Sequence, residues 1–404
     1  MKKILLLSAI MAGAMSVNAQ SDFKVKEIAK LPVKNITNYD KTVMRTGYGF
    51  GDKFYMTDRG AQQLRVFDLG TGEEIAQKEI GANQALGHDE AGNAIIANWG
   101  FAGSNPVGSE TTFTLISADL KEMRTTEKVG SIQGRGDYLG KAKGNVFGKE
   151  GATLLASGAA QDLENKGIVC YTFTPSGGDT PLVSYSNVWD ADQKIGAGTW
   201  ATYNYYKDVD GTDRYLYVNR SAALTDVTFE EGEVLGDQTR SYSPEDRLPN
   251  KGVCNGGEIF VLGSRKFVVY GNVTSPTYLD GISIAEIGAD NKTLTTVYTQ
   301  EAKETTREMT TQGNWLNVEV LNDKQAKLYQ YFLGGYVAEY GIAIGDADTP
   351  ATSGVKGIEN APAQVVSTTY YTAAGVASKT AVKGLNIVVT KYADGSQKVV
   401  KVIK

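Results

Sequence analysis

The chain has 404 residues and a formal net charge of −5, with 46 glycines, nine prolines, two cysteines and one histidine. Glycine exceeds its usual share of about 7% and no long amphipathic helical pattern occurs, so the composition favours an all-β protein rich in turns. The acidic balance argues against nucleic acid as a partner, and a single histidine excludes a multi-histidine metal site and argues against a Ser-His-Asp triad.

The N-terminal residues have the features of a signal peptide. Lys2 and Lys3 form a basic start, residues 4–17 are apolar but too short to span a membrane well, and a small-residue cleavage site ends at Ala19. We therefore predict that residues 1–19 are removed on export. The mature chain is expected to have no transmembrane segment and to reside in the periplasm, on the outer-membrane surface or outside the cell.

Six apolar segments of about seven residues recur roughly every 50 residues along the chain. Each one follows a tight polar turn and ends at a polar residue or a glycine. This period is typical of a β-propeller, in which each unit buries its apolar face by stacking on its neighbours. We assign the segments to the second strand of each blade; they are residues 52–60, 92–100, 151–158, 213–220, 265–272 and 327–334.

Alternating patterns around these segments supply the other strands of each blade. In the first unit we predict an inner strand at 44–50, a third strand at 63–69 and an outer strand at 74–80. The last unit lacks an outer strand, and residues 23–31 have the alternation it needs. We therefore predict a propeller over residues 20–345, closed by the N-terminal strand, with six blades favoured over seven.

Linker residues interrupt the strand pattern at 346–357, and we predict a small C-terminal β-sandwich over residues 358–404. Within it, Asp394 and Gly395 lie between two alternating runs and predict a hairpin. This tail carries six lysines against two acidic residues, or +4, which leaves about −11 on the mature body.

The tail resembles the C-terminal sorting domains of the type IX secretion kind, found in secreted proteins of Gram-negative bacteria. The resembling residues are Tyr370, Tyr371, Gly375, 383–389 and 398–404. The resemblance implies the export machinery as a partner and delivery toward the outer membrane or beyond; a small cap with no sorting role is the alternative. The body looks like the uncharacterised secreted propellers of such bacteria, a resemblance that implies no activity.

Propellers usually bind ligands on the face formed by loops that leave the second strands and enter the inner strands. Aligning the units predicts aromatic, Arg, Asn and acidic side chains there, which suit a sugar or other polar ligand through stacking and bidentate hydrogen bonds. The alternative is that these residues hold loop backbone or pack between blades. The candidate ligand-binding residues are Asp58, Arg59, Asn98, Trp99, Arg135, Asp137, Trp200, Asn219, Arg220, Asn272, Arg307, Glu308 and Trp315.

The loop with Asp208, Asp210 and Asp213 offers carboxylates around a glycine, as a calcium loop does. Its spacing departs from the EF-hand, so we favour a hairpin tip and predict no metal or other cofactor, with Ca²⁺ as the weaker alternative. We predict His88 in a hairpin turn. Cys170 and Cys254, assigned to non-adjacent units, are predicted to be buried thiols rather than a disulfide.

No set of residues in the sequence specifies a reaction. We expect an exported, non-catalytic binding propeller that recognises a glycan or a protein at one end of its channel. One alternative is a polysaccharide hydrolase or lyase that uses Asp or Glu on the same face as acid and base, with Asp58, Asp137 and Glu308 as candidates. The other alternative is a structural surface protein.

Overall fold

The chain divides into two compact units, Met1–Gly354 and Val355–Lys404. The structure is a computed structural model. It describes residues 22–82, 85–98, 110–130, 139–157, 168–174, 182–188, 202–218, 223–230, 233–234, 238–247, 256–272, 280–301, 314–351, 365–372, 376–392 and 397–403. Within these ranges no helix is long and apolar enough to cross a membrane.

Six antiparallel sheets, called blades 1 to 6 below, form the described part of the first unit. The first strand, β1 (Phe23–Pro32), is followed by a short 3-10 helix (Val33–Asn35). Blade 1 contains β2 (Gly47–Phe50), β3 (Lys53–Asp58), β4 (Gln63–Asp68) and β5 (Glu74–Glu79). Blade 2 contains β6 (Ala85–His88), β7 (Ala94–Ala97), β9 (Phe113–Ile116) and β10 (Met123–Thr125), and a separate pair is formed by β8 (Glu110–Thr111) and β11 (Val129–Gly130).

The remaining blades repeat this order, with the innermost strand first along the chain. Blade 3 contains β12 (Lys143–Gly144), β13 (Ala152–Ser157), β14 (Ile168–Thr174) and β15 (Leu182–Val188). Blade 4 contains β16 (Thr202–Lys207), β17 (Asp213–Val218), β18 (Leu224–Glu230), β19 (Glu233–Val234) and β20 (Arg240–Tyr242). Blade 5 contains β21 (Gly257–Leu262), β22 (Arg265–Gly271), β23 (Ile282–Ile287) and β24 (Leu294–Gln300), and blade 6 contains β25 (Asn314–Asn322), β26 (Gln325–Phe332) and β27 (Tyr336–Ile344).

The outermost strand of blade 6 comes from the N-terminus, as the sequence predicts. β1 pairs antiparallel with β27, from Phe23 opposite Ile344 to Pro32 opposite Tyr336. The sheet order is β1-β27-β26-β25, so strands about 300 residues apart in sequence share one blade. The predicted closure is confirmed.

Six clusters of buried apolar side chains lie between the blades, one for each pair of neighbours. The cluster between blades 1 and 2, for example, contains Tyr55 and Ile96, and the cluster between blades 6 and 1 contains Tyr331 and Phe54. The other four join blades 2 and 3, 3 and 4, 4 and 5, and 5 and 6. The clusters therefore complete a circle of six blades, which decides between the predicted six and the alternative of seven.

Amide side chains on the inner strands tie neighbouring blades together around the axis. Asn204 of blade 4 donates to the Gly257 carbonyl of blade 5 at 2.8 Å and accepts from the Lys141 amide of blade 3 at 3.0 Å. Asn317 of blade 6 makes two hydrogen bonds with the backbone of Gly49 in blade 1, at 2.7 and 2.8 Å. Because three of these four bonds are buried and the fourth is partly buried, they hold the inner strands in a fixed position relative to one another.

The second unit contains one described sheet of four strands, in the order β29-β28-β30-β31. These strands are β28 (Val365–Thr372), β29 (Ala377–Ser378), β30 (Leu385–Tyr392) and β31 (Gln397–Ile403). β30 and β31 pair antiparallel, as the predicted hairpin requires, while its turn residues Asp394 and Gly395 lie outside the described residues. The predicted sandwich requires two facing sheets, whereas the described strands of this unit form a single sheet.

Candidate functional site

An open cavity of about 460 Å³ lies where the inner strands end and turn into the second strands. All six blades line it, so the cavity lies on the propeller axis. A smaller void of about 40 Å³ lies nearer the start of the inner strands and shares His88 and Asn317 with the cavity. The lining residues of the larger cavity are Phe50, His88, Asp89, Glu90, Lys141, Tyr205, Tyr206, Lys207, Asp208, Val209, Ile259, Phe260, Val261, Gly263, Asn317, Val318, Glu319 and Val320.

Lys141 connects three blades at this cavity. Its Nζ donates to the Val318 carbonyl of blade 6 at 3.3 Å and lies 3.7 Å from Oε1 of Glu258 in blade 5. Glu258 Oε2 accepts a hydrogen bond from the Val318 amide. Burial raises the pKa of Glu258, while Lys141 and the Val318 amide act in the opposite direction.

His88 lies at the end of β6 beside Lys141, with which it forms an isolated parallel β-bridge. The imidazole is 5% exposed and stacks on the Tyr48 ring, with ring centres 4.5 Å apart. Tyr48 in turn stacks on Tyr55 at 4.7 Å. Burial, together with the Lys141 ammonium, lowers the pKa of His88 to about 3, so the ring is neutral at physiological pH.

The position of His88 corrects the prediction that it belongs to a hairpin turn. It is the last residue of the inner strand, and the turn begins with Asp89, whose Oδ1 accepts the amides of Ala91 and Asn93 at 2.9 Å each. The acidic residue closes the turn through its own side chain, as Asx turns do, which leaves the histidine inside the strand.

The carboxylates at the mouth of the cavity already accept hydrogen bonds from neighbouring blades. Three carboxylates accept a hydrogen bond from a backbone amide of the next blade: Asp89 from Val146 (2.8 Å), Glu90 from Gly144 (2.7 Å) and Glu319 from Gly51 (2.9 Å). Burial raises the pKa of Asp89 in spite of these bonds. The carboxylates therefore join blades 2 and 3 and blades 6 and 1 at the mouth.

The loop proposed as a weak calcium candidate forms the hairpin between β16 and β17, as favoured from the sequence. Asp208 binds Lys266 at 3.0 Å and Arg240 at 2.7 Å, and Asp213 binds Lys143. Asp210 accepts the Thr212 amide at 2.9 Å. The three carboxylates are directed to different partners, and no group of three potential metal ligands is found in the described ranges.

Five of the predicted ligand-binding residues fall within the described ranges. Asp58 accepts the Ala61 amide at 2.9 Å, and Arg59 Nε lies 3.5 Å from the Val43 carbonyl. The Asp58 contact holds a turn, and the Arg59 contact joins that turn to the loop backbone before β2, as the alternative interpretation predicted. The three remaining residues are Asn98, which donates to Thr112 (3.1 Å), Asn272, which donates to Ser283 (2.9 Å), and Trp315, which is packed between blades 6 and 1.

The other predicted ligand-binding residues lie outside the described residues, so the predicted loop face stays a prediction. They are Trp99, Arg135, Asp137, Trp200, Asn219, Arg220, Arg307 and Glu308. The cavity described above opens at the opposite end of the channel. Cys170 is buried on the third strand of blade 3, as predicted, and Cys254 lies outside the described residues.

Several cavity residues were not predicted from the sequence, among them Lys141, Tyr205, Lys207 and Glu319. A signal for the channel was nevertheless present. Asn204, Glu258 and Asn317 are polar residues with apolar, aromatic or glycine neighbours on either side in the inner strands, and all three prove to contact other blades. A buried polar residue at that position indicates an inter-blade contact at the axis.

No protein-family model matches the sequence, and no curated protein matches it. A DUF4623 family protein from Bacteroides eggerthii is similar in structure, with a TM-score of 0.46 and 11% identity over 81% of this chain and 76% of its own. Regucalcin, a calcium-binding protein from Agrobacterium tumefaciens, is similar with a TM-score of 0.42 and 12% identity over 81% of this chain and 97% of its own. The propeller assignment itself follows from the strand order and the circle of six interfaces described above.

Proposed function

We propose that this protein is an exported binding propeller that holds a carbohydrate in the open mouth of its axial channel. The observation that carries the proposal is the cavity of about 460 Å³, lined by aromatic and hydrogen-bonding side chains from all six blades. Its volume lies within the range of about 300–1,000 Å³ that is common for small-molecule sites.

The chemistry of the lining suits a sugar. Phe50 and Tyr205 supply aromatic surface, while Lys207 and Glu319 supply hydrogen-bonding groups. Sugars present apolar ring faces together with hydroxyl groups, and binding sites for them combine stacking with directed hydrogen bonds.

The rim of the cavity itself carries exposed apolar side chains. Val209, on the hairpin tip of blade 4, is 52% exposed, and Val320, near the tip of blade 6, is 45% exposed. A longer glycan that extends beyond the cavity would contact these side chains with its apolar ring faces.

Export is supported by the sequence alone. The basic and apolar leader at residues 1–19 and the C-terminal tail that resembles type IX sorting domains support a location in the periplasm, on the outer-membrane surface or outside the cell.

The test is a glycan-array screen with the full mature chain, followed by isothermal titration of the glycans that bind. Phe50→Ala removes a half-buried ring from the cavity, and we expect about tenfold weaker binding because stacking contributes about 0.5–1.5 kcal/mol beyond burial of the ring. The matched control is Phe147→Ala, which removes a half-buried ring that does not line the cavity and should bind as the wild type does. An array without bound glycans, or equal losses in both variants, would contradict the proposal.

A further inference from the structure

Two side chains at the floor of the cavity, His88 and Lys141, can form further hydrogen bonds. His88 is 5% exposed, and no hydrogen-bond partner for its ring nitrogens is found among the described residues. An imidazole so deeply buried normally has a partner, because an unsatisfied polar group costs about 1–3 kcal/mol. The ring lines both the cavity and the smaller void, so a ligand in the channel can reach it.

Lys141 lies next to His88, and some N–H groups of its ammonium are available to bind a ligand. Of its three N–H groups one is used on the Val318 carbonyl at 3.3 Å, and Glu258 is beyond hydrogen-bond distance at 3.7 Å. The side chain is 17% exposed and lines the cavity. An ammonium and a neutral imidazole are therefore presented side by side at the floor.

The acidic groups that line the cavity are already bound by the protein. Asp208 is held by Lys266 and Arg240. Asp89, Glu90 and Glu319 accept backbone amides from neighbouring blades, as described above. Glu258 does not line the cavity; its Oε1, 3.7 Å from Lys141, is buried without a hydrogen-bond partner among the described residues. The donors that the cavity offers to a ligand are therefore the Lys141 ammonium and the one N–H of the neutral His88 ring, whose other nitrogen is an acceptor.

We infer that the floor of the cavity binds a carboxylate, which makes the ligand an acidic sugar such as a uronic acid. The inference rests on the proposed carbohydrate binding. A carboxylate has two coplanar oxygens that can each accept from one of two adjacent donors, and charge-assisted hydrogen bonds of this kind are the strong ones. A phosphate carries more negative charge and would meet stronger repulsion from Glu90 and Glu319 at the mouth.

The experiment is isothermal titration of the full mature chain with three probes: glucuronate, glucose and succinate. We expect glucuronate to bind at least tenfold more tightly than glucose, because its carboxylate accepts charge-assisted hydrogen bonds, whereas the hydroxyl groups of glucose accept only the weaker neutral ones. We expect it to bind more tightly than succinate as well, since succinate lacks the sugar ring.

Two variants test the assigned residues. His88→Phe keeps a ring against Tyr48 but removes both nitrogens, and we expect it to weaken glucuronate about tenfold and to leave glucose within twofold. The double variant Lys141→Gln with Glu258→Gln removes both charges together and so leaves no buried unpaired carboxylate. We again expect about tenfold weaker binding of glucuronate and a change of less than twofold for glucose. Lys292→Gln, on an exposed turn of blade 5, is the matched charge control. Thermal unfolding of each variant verifies that it is folded.

The outcomes separate the two proposals. Equal affinity for glucuronate and glucose, with no change in the variants, would overturn the carboxylate inference and leave carbohydrate binding standing. If succinate binds as tightly as glucuronate, the result would support the carboxylate site and overturn the proposal that the ligand is a sugar. Failure of all three probes together with an empty glycan array would overturn both.

Discussion

Glycines just before the inner strands determine how closely neighbouring blades approach at the axis. A Cβ on Gly140 would lie 1.7 Å from the Tyr203 carbonyl oxygen, and one on Gly256 would lie 2.4 Å from the Asn314 carbonyl oxygen. Both obstacles are backbone atoms of the next blade, which cannot rotate away. Part of the high glycine content is therefore explained by packing of backbone against backbone, in addition to turns.

This packing predicts a strong effect of a single methyl group. We expect Gly140→Ala to lower the free energy of unfolding by about 1–3 kcal/mol, because blades 3 and 4 must separate to accommodate it. Gly60→Ala is the matched control, since its Cβ would meet only ordinary contacts at 3.4 Å and beyond, and it should change stability by less than about 0.5 kcal/mol. Urea unfolding followed by fluorescence measures both, and similar values for the two variants would refute the explanation.

Buried charges between blades 4 and 5 form a second determinant at the residue scale. Asp208, whose side chain is 2% exposed, lies between Lys266 and Arg240. Burial raises the pKa of this carboxyl, but the two cations lower it further, so that it lies below its ordinary value. A carboxyl with a lowered pKa contributes stability at neutral pH that is lost as the pH falls toward and below about 4.

The pH dependence follows from this sign. We expect Asp208→Asn to destabilise the protein by about 3 kcal/mol at pH 7, because Lys266 loses its counter-ion and Arg240 keeps only Asp226 at 3.6 Å. The cost should be smaller at pH 3, which lies below the ordinary pKa of the unfolded carboxyl, so that part of the wild-type stabilisation is already lost there. Asp323→Asn, in an exposed turn, should have little effect at either pH. Thermal melts at both pH values test this; a cost for Asp208→Asn that does not depend on pH would show that its charge is not responsible.

At the scale of the element, β1 is the strand on which ring closure depends. It pairs with β27 along nearly its whole length, with one irregularity between Glu27 and Ala29. Leu31 at its end is 4% exposed and packs in the cluster between blades 6 and 1. β1 therefore covers an edge of blade 6 and contributes to an interface at the same time.

We expect Leu31→Ala to lower stability by about 2–5 kcal/mol, the usual cost of removing a buried leucine side chain. Lys26→Ala on the same strand changes an exposed residue and should be nearly neutral. Differential scanning calorimetry compares the two. An unchanged melting temperature for Leu31→Ala would mean that the closing strand does not contribute to stability.

At the scale of the element, local patterns predict single strands but not how many sheets those strands form. The second strand of each blade is a short apolar run between turn residues. This pattern is local, so a window of about ten residues is enough to recognise it. The tail has equally clear strands, such as β30 and β31, but the number of sheets they form depends on which strands pair. Pairing is a contact between distant residues, and periodicity does not specify it.

At the scale of the whole molecule, the protein is a ring whose six interfaces are chemically different. Between blades 3 and 4 the buried cluster is largely tyrosine, for example Tyr203 and Tyr215, whereas between blades 2 and 3 it contains Leu154 and several alanines. Each interface is filled by side chains of complementary size, since cores pack as densely as organic crystals. The ring thus has a unique order of blades, and the cavity on its axis has a unique lining.

The sequence by itself determined the all-β class, the repeat, the strands of each blade and the identity of the closing strand, because these follow from local patterns of apolar and turn residues. Tertiary structure alone decided which residues meet on the axis. His88 and Lys141 are 53 positions apart, yet they line one cavity, and Glu258, more than 100 positions further along the chain, lies 3.7 Å from Lys141. The ends of six inner strands converge only when the ring closes, so the chemistry of the channel is a property of the assembled blades.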